Sequence, residues 1–289
     1  MRSLISFLLL MAVVGIQSCS EDEASEPTNP FSVCIDKADG GRLQVATMNL
    51  QEFPKNGKTT MRMVGALIEQ MDVDVVALQE ISNKNSIDEL VKELKGWTGL
   101  FTPSPSGSMS LAYLYKNSEV ELVANSAEAI FTTDYDFPRP PFKIKIRHKP
   151  TGEEVYLINL HLKAMSDSES VNRRKESARK LKEYMDENMS NDKVVVLGDY
   201  NDRISASGSQ TFYVFVGDAA NYRFADMHIA TGSSTWYSYP SWPSHLDHIM
   251  VTNELFAAVD TVMVYRPEVC VPEYRSVVSD HRPVVVFFR

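Results

Sequence analysis

The sequence lacks an excess of basic residues and any apolar run long enough to form a permanent membrane span. Its 289 residues include 29 Lys and Arg against 38 Asp and Glu, giving a formal net charge of −9. This balance counts against the broad basic surface of a high-affinity duplex-binding protein, although nucleic acid stays open as a substrate. The longest apolar run, residues 4–16, is too short to cross a bilayer as a permanent helix.

Cysteine is also scarce, with only Cys19, Cys34 and Cys270 in the chain. If Cys19 is lipidated and the protein is exported, Cys34 and Cys270 remain in an oxidising compartment. They allow one disulfide, which would join the start of the domain to a late loop. Two separate buried thiols are an equally good interpretation.

The first 30 residues have the composition of an export signal and a linker. Residues 1–18 carry one Arg, the apolar run and small residues at the end, which is typical of a secretory signal. Ile16-Gln17-Ser18-Cys19 resembles a bacterial lipobox, which implies lipidation of Cys19 and a membrane anchor at the periplasmic side or on the outer-membrane surface. Simple secretion with a signal ending in Ser is the alternative. Residues 19–30 are acidic and contain two prolines, which predicts a flexible tether.

Residues 31–289 show neither an internal repeat nor a second linker, so we predict one domain. We also expect a monomer. In its first part, residues 43–50 predict a strand, 57–71 an amphipathic helix and 73–81 a second strand. This order indicates a parallel crossover. Residues 87–94 predict a short helix, followed by a loop.

The rest of the chain predicts strand pairs around one long helix. We expect residues 110–115 and 120–123 to pair with each other, and residues 142–146 to pair with 155–160. Residues 168–189 predict a helix whose charges face solvent. Further strands are predicted at 194–199, 246–251, 262–265 and 284–288.

Polar side chains stand where the predicted apolar strands begin or end. The clearest case is Val194-Val195-Val196-Leu197-Gly198, which leads directly into Asp199 and Asn201. The full set is Asn49, Glu80, His161, Asp199, Asn201, Asp247, Asp280 and His281. Because so many strands contribute, we expect one shared site at an edge of a sandwich. A set of amides, carboxylates and two histidines, with no cysteine and no His-x-x-x-His helix, favours a hard cation such as Mg²⁺ over zinc.

Six motifs in the chain resemble, in the same order, those of the endonuclease/exonuclease/phosphatase superfamily. They are Thr47-Met48-Asn49-Leu50, Ala77-Leu78-Gln79-Glu80, Asn159-Leu160-His161, Gly198-Asp199-Tyr200-Asn201, Leu246-Asp247-His248-Ile249 and Ser279-Asp280-His281-Arg282-Pro283. The resemblance implies a DNase I-like α/β fold of four layers, with two packed, mostly antiparallel or mixed β-sheets flanked by helices. It also implies cleavage of a phosphoester that depends on Mg²⁺ or Mn²⁺.

The resemblance further implies a role for each matching residue. Glu80 would be the principal metal ligand, with Asn49 and Asp280 beside it. Asp199 and Asn201 would orient the attacking water and the phosphate. His281 would be the general base or proton-handling group, and Asp247 the carboxylate that holds its ring. His161 would donate a hydrogen bond to the phosphate, and Arg139 would contact the phosphate. A surface arginine in a proline-rich loop is the competing interpretation of Arg139.

The sequence leaves the substrate open. Around Ser108 and Met109 it lacks the acidic and aromatic residues that some DNase-like members carry, which argues against that branch. The cluster Trp236, Tyr237, Tyr239 and Trp242 could receive a base, a sugar or a lipid, or could pack over the sheet edge. Our first hypothesis is a nuclease-like phosphodiesterase. The alternatives are a phosphatase or sphingomyelinase-type enzyme acting on inositol phosphates or lipid headgroups, and a catalytically silent surface-binding module.

Overall fold

The computed structural model of the chain describes residues 28–38, 42–107, 109–205 and 211–289. The predicted signal peptide, Cys19, most of the predicted tether and Ser108 lie outside the described residues. The strands are β1 (Gln44–Phe53), β2 (Val75–Ile81), β3 (Trp97–Thr102), β4 (Ser110–Lys116), β5 (Val120–Leu122), β6 (Glu128–Ala129), β7 (Phe142–His148), β8 (Glu154–His161), β9 (Val194–Asp199), β10 (Tyr222–Phe224), β11 (Asp247–Thr252), β12 (Val259–Val264) and β13 (Val284–Phe288). The helices are α1 (Lys58–Met71), α2 (Lys84–Glu93), α3 (Ser168–Asn188), α4 (Tyr213–Val216), α5 (Met227–Ala230) and α6 (Tyr274–Val277), with short 3₁₀ turns at Ser234–Trp236, Asn253–Leu255 and Pro267–Val269. Within these ranges, no helix combines the length and apolar character that crossing a membrane requires.

The strands form two mixed β-sheets. The first sheet has the order β12-β13-β1-β2-β4-β3, and the second has the order β10-β11-β9-β8-β7-β5, with β6 also paired to β7. Each sheet contains one parallel pair, β1 with β2 and β8 with β9, and its other pairs are antiparallel. The predicted parallel crossover through α1 and the predicted antiparallel pair β7–β8 are therefore confirmed.

Three apolar clusters show that the sheets and helices are stacked in four layers. One cluster, which includes Val45, Leu157 and Val195, lies between the two sheets. A second packs α1 and α2 on the outer face of the first sheet, and a third packs α3 on the outer face of the second. This is the predicted four-layer arrangement, in which each sheet buries both faces.

Alternation along the strands explains why polar side chains end up between the sheets. In β2, Val75 and Ala77 face the other sheet, and the next residue on that face is Gln79. In β8, the same face carries Val155 and Leu157 and then Asn159. The inter-sheet layer is thus apolar over most of its length and turns polar at one end.

Two predictions about the strands are wrong. Residues 110–115 and 120–123 do not pair with each other, because both edges of β4 are taken by β2 and by β3, and β5 pairs with β7 of the other sheet. The loop expected after α2 contains β3. This strand packs closely on α2, since a Cβ added at Gly99 would lie 2.6 Å from Ile87 Cγ2.

The two described cysteines are joined in a disulfide, which decides between the alternatives left open by the sequence. The Cys34 and Cys270 Cα atoms are 5.8 Å apart, and 236 residues separate the two positions in the chain. Nearby, Asn29 Nδ2 donates to Ala66 O over 2.7 Å and Phe31 is fully buried. Asn29 and Phe31 therefore contact the folded domain.

Candidate active site

A cavity of about 410 Å³ opens at the polar end of the inter-sheet layer. Seven of the nine residues given a site role from the sequence line it, and the other two hold residues that line it. The lining residues are Gln51, Glu52, Lys55, Glu80, Met109, Arg139, His161, Ala164, Asp199, Asn201, Tyr239, Leu246, Asp280 and His281. Of the predicted set, Asn49 and Asp247 lie behind this lining and contact it as described below.

Asn49 links two carboxylates that come from different sheets. Its Nδ2 donates to Glu80 Oε1 over 3.1 Å and to Asp199 Oδ2 over 3.0 Å. Its Oδ1 accepts from the Gln51 backbone N–H over 3.0 Å. Glu80 Oε2 in turn accepts from the Glu52 backbone N–H over 3.1 Å. The amide therefore holds the two carboxylates at a fixed separation on either side of the inter-sheet gap.

The backbone around the cavity is held in an unfavourable conformation. Nine non-glycine residues of the described chain have positive φ, and five of them line the cavity. These five are Gln51 (44°), Glu52 (58°), Glu80 (61°), Met109 (54°) and Asn201 (51°). Each such residue costs of order 1 kcal/mol or more, and clusters of this kind are characteristic of functional sites. At Glu80 the positive φ also breaks the strand alternation, so that consecutive residues Gln79 and Glu80 both reach polar partners between the sheets.

Gly198 brings β9 against β8 immediately before Asp199. Its φ is 141°, and a Cβ at this position would lie 2.0 Å from Leu160 O, so a side chain does not fit. Asp199 Oδ1 then accepts from the Asn201 backbone N–H over 2.8 Å. The Asn201 and Arg139 side chains both donate to Leu162 O, over 3.1 Å and 3.2 Å. Arg139 is half-buried and lines the cavity wall, and its contact with a phosphate stays a prediction.

Asp247 and His281 form a buried pair. His281 Nδ1 lies 2.8 Å from Asp247 Oδ2, and the Asp247 carboxylate is fully buried. Burial opposes the charged form of His281, but the adjacent Asp247 carboxylate outweighs it and raises the pKa of His281 to about 10. The ring is therefore protonated at neutral pH, and its other nitrogen can donate toward the cavity.

Burial is also the largest cause of the pKa shifts of Asp199 and His161, which line the same cavity. Burial, and then the nearby Asp247 carboxylate, raise the pKa of Asp199 to about 7. Burial, helped by Arg139 and His281, holds the pKa of His161 well below its ordinary value. His161 Nε2 lies 3.5 Å from Asp199 Oδ2 and 3.9 Å from Glu80 Oε1. The neutral His161 ring therefore faces both carboxylates.

The segment before β13 closes the site from the first sheet. The Asp280 backbone N–H donates to Gln51 Oε1 over 3.2 Å, and Asp280 lines the cavity. Ser279 Oγ donates to Asn49 O over 2.6 Å and accepts from the His281 backbone N–H over 3.0 Å. The sequence motif contained Ser279, but the role of its hydroxyl in joining Asn49 to His281 was not predicted.

Other residues near the site went unassigned in the sequence. Gln79 Nε2 donates to Asn159 Oδ1 over 2.7 Å, which joins the two sheets directly below the cavity. From the aromatic cluster, Tyr239 lines the cavity and packs on His281 with ring centroids 4.9 Å apart, whereas Trp242 is 77% exposed. His248 points to the opposite face of β11, as predicted from alternation, and contacts Asp226 instead.

The donor set fits a hard divalent cation. Glu80, Asp199 and Asp280 present carboxylates at the cavity, and Asn49 adds an amide. Asp247 Oδ1 has no hydrogen-bond partner among the described residues, and Asp199, Asp247 and His281 can each place one ligand atom within 4.8 Å of the others. An oxygen-rich set of this kind suits Mg²⁺, Mn²⁺ or Ca²⁺ better than a soft metal.

Comparison with known proteins assigns the family. Residues 46–281 match the sequence profile described as Endonuclease/Exonuclease/phosphatase family. The chain belongs to this family. No curated protein sequence is significantly similar to it.

Several solved structures share the fold of this family member. Zebrafish (D. rerio) TDP2 complexed with a single-strand DNA product is 16% identical with a TM-score of 0.68, and covers 86% of this chain and 100% of its own. The mannosyl-6-phosphatase of Bacteroides thetaiotaomicron is 18% identical with a TM-score of 0.65, covering 86% and 99%. The human Nocturnin catalytic domain with bound sulfate is 17% identical with a TM-score of 0.62, covering 86% and 94%. At these identities, the likeness shows the fold alone.

Proposed function

We propose that the protein is a metal-dependent phosphoesterase that hydrolyses a phosphodiester, with Mg²⁺ as the preferred ion and Mn²⁺ as a substitute. The observation that carries this proposal is the convergence on one cavity of the Asn49-linked carboxylates Glu80 and Asp199 and of the Asp247–His281 pair. A carboxylate that can accept a proton, a charged imidazole and an oxygen-rich cation site are what phosphoester hydrolysis requires.

In this proposal one residue accepts a proton from water, and several others donate hydrogen bonds to the phosphate. Asp199, whose pKa is raised to about 7, can take a proton from the attacking water near neutral pH. Asn201 is fixed beside it through Leu162 O and would orient that water and the phosphate. The protonated His281 would donate to a phosphate oxygen or to the leaving group. His161 and Arg139 would add donors to the remaining phosphate oxygens.

The proposed cation would be held by Glu80, with Asn49 and Asp280 beside it. When bound, it would neutralise negative charge on the phosphate and polarise the P–O bond. Asn49 directs its amide N–H groups at Glu80 and Asp199, so its first contribution is to orient those carboxylates.

A phosphomonoester is the second candidate substrate, because the mannosyl-6-phosphatase has the same fold at a TM-score of 0.65. The purified protein should be assayed with plasmid, single-stranded oligonucleotide, a sugar phosphate, phosphoinositides and sphingomyelin, in Mg²⁺, Mn²⁺ and excess chelator. We expect turnover of a nucleic-acid phosphodiester that chelator abolishes. Turnover of the sugar phosphate, the phosphoinositides or sphingomyelin alone would replace the nuclease assignment with a phosphatase or sphingomyelinase. No turnover, together with undetectable metal binding by calorimetry, would favour the silent binding module.

We also propose export, lipidation of Cys19 and anchoring in a bacterial membrane as a monomer. The lipobox-like end of the signal and the acidic tether support this placement. Expressed in a bacterium, the wild-type protein should label with palmitate and sediment with membranes, whereas Cys19→Ser should do neither. Protease treatment of intact cells separates surface display from a periplasmic location. Light scattering of the soluble domain tests the monomer.

A further inference from the structure

A second buried group of titratable side chains lies behind the cavity. Asp226, His245 and His248 are each at most 2% exposed. Asp226 Oδ2 lies 2.8 Å from His245 Nε2 and 2.6 Å from His248 Nδ1. Its other oxygen accepts from the Ile249 backbone N–H over 3.1 Å. None of the three side chains lines the cavity, so the proposed reaction does not use them directly.

The partners of the two rings define where their protons lie. Both nitrogens of His248 face acceptors, because Nε2 lies 3.1 Å from Asp202 O while Nδ1 faces Asp226. His248 therefore donates from both nitrogens. His245 Nδ1 accepts from the Ser238 backbone N–H over 3.2 Å, so its Nε2–H is the one that donates to Asp226.

Each end of this group contacts a segment that carries active-site residues. At one end, Asp202 directly follows Asn201, and its carboxylate accepts from the buried Arg174 Nε over 3.0 Å. Arg174 belongs to α3, so the prediction that the charges of this helix all face solvent is wrong at this position. Asp202, the residue after Asn201, is thus held through its carbonyl oxygen by His248 and through its carboxylate by Arg174.

At the other end, Ser238 contacts Asp247 and Arg282, the residue that follows His281. Its Oγ accepts from the Asp247 backbone N–H over 3.1 Å. Its carbonyl oxygen accepts from the Arg282 backbone N–H over 2.7 Å. One continuous set of hydrogen bonds therefore runs from the Asn201 turn through His248, Asp226, His245 and Ser238 to Asp247.

The same three side chains could in principle ligate a metal, but the spacing fits hydrogen bonds. Ligand atoms bound tetrahedrally at about 2.0–2.1 Å from a zinc ion would be about 3.3 Å from each other. The observed separations of 2.6 Å and 2.8 Å are shorter. Each of the four ring nitrogens also has a hydrogen-bonding partner, Asp226 Oδ2 serving two of them.

We propose that Asp226, His245 and His248 are positioning residues that hold Asn201 and the Asp247–His281 pair in register across β9 and β11. This inference rests on the proposed hydrolytic function of the cavity. Positioning partners behind a first layer of functional groups commonly contribute 10- to 100-fold to activity. The three residues touch neither substrate nor cation, so their loss lowers turnover rather than binding.

The test compares His248→Gln and the milder His245→Gln with a matched control, His148→Gln. His148 is a buried histidine at the far end of β7, with Nδ1 2.9 Å from Thr151 Oγ1 and no contact with the site. All proteins are assayed at a temperature at which circular dichroism shows them fully folded. We expect kcat to fall about 10- to 100-fold in His248→Gln and about tenfold in His245→Gln, with KM within about threefold of wild type. The control should retain both constants.

Crystal structures of the same variants give a readout that does not depend on activity. We expect the Asn201 turn or the Asp247 carboxylate to be displaced in His248→Gln and to stay in place in His148→Gln. Unchanged coordinates with unchanged kcat would overturn the positioning role, as would equal losses in the control. Stoichiometric zinc in the wild-type protein that is lost in His245→Gln would replace it with a structural metal site. If wild type hydrolyses no substrate, the proposed function fails, and the displacement alone decides the positioning claim.

Discussion

His281 Nδ1 lies 2.8 Å from Asp247 Oδ2, although the two residues belong to opposite halves of the sandwich. Asp247 begins β11 of the second sheet, whereas His281 lies just before β13 of the first. The pair forms only when the two sheets are packed in register. Chemistry at the cavity therefore depends on the inter-sheet core as well as on the residues that face the substrate.

A double-mutant cycle on this pair tests whether the two residues act as a unit. His281→Gln is expected to lower kcat about 10³-fold, because it removes the charged donor. Asp247→Asn should lower kcat about 10²-fold, because the amide no longer favours the charged ring. The double variant should be no worse than His281→Gln by more than about threefold. Fully additive losses would show that the residues act independently.

The stability of the pair should depend on pH in a defined direction. The pKa of His281 is raised to about 10 in the folded protein, against 6.5 ordinarily. Its contribution is therefore fully present below about pH 6.5 and is lost as the pH rises toward about 10. Urea unfolding in chelator between pH 6.5 and 10 should show a steeper fall in unfolding free energy for wild type than for His281→Gln. Parallel curves would contradict the raised pKa.

Gly198 is expected to tolerate no side chain. Gly198→Ala should destabilise the fold by about 3 kcal/mol or more, because its Cβ would meet Leu160 O at 2.0 Å. Gly65→Ala is a suitable control, since this α1 glycine would place its Cβ 3.5 Å from Glu93 Cβ. The control should be neutral or stabilising by up to about 1 kcal/mol. Similar urea midpoints for both variants would refute the close approach of β8 and β9.

Asn159 should stabilise the packing of the sheets. Asn159→Leu removes the donors to Leu78 O and Ala112 O, both 3.0 Å away, and the acceptor for Gln79 Nε2. We expect a loss of about 2–4 kcal/mol in unfolding free energy, because these groups stay buried without partners. The exposed Asn188→Ala should change it by less than about 0.5 kcal/mol. A small effect at Asn159 would mean that water replaces the amide.

The position of the site was predictable because a strand has a period of two residues. Val195 and Leu197 face the other sheet, and the same alternation carries Asp199 toward the cavity. The six sequence motifs then indicated which residues of the other strands lie beside Asp199 at the cavity. Tertiary effects were harder to predict. The pairing of β5 with β7 depends on β3 having taken the free edge of β4, and no local pattern records that competition.

The group formed by Asp226, His245 and His248 was missed for a related reason. Asp226 follows the short strand β10 in a region without clear periodicity, and its partners lie 19 and 22 residues further along the chain. The one available signal was His248 itself, a histidine on the outer face of an otherwise apolar strand. A buried histidine on such a face needs an acidic or carbonyl partner, but the sequence does not say which one.

The most direct test of the proposed function is phosphodiester hydrolysis by wild type, Asp199→Asn and Glu80→Gln in Mg²⁺ and in excess chelator. Asp260→Asn, an exposed carboxylate that pairs with Arg289, is the matched control. We predict that chelator abolishes wild-type turnover, that each site variant loses at least about 10³-fold in kcat while remaining folded, and that the control keeps wild-type turnover. Undiminished hydrolysis in chelator, or in either folded site variant, would contradict the account.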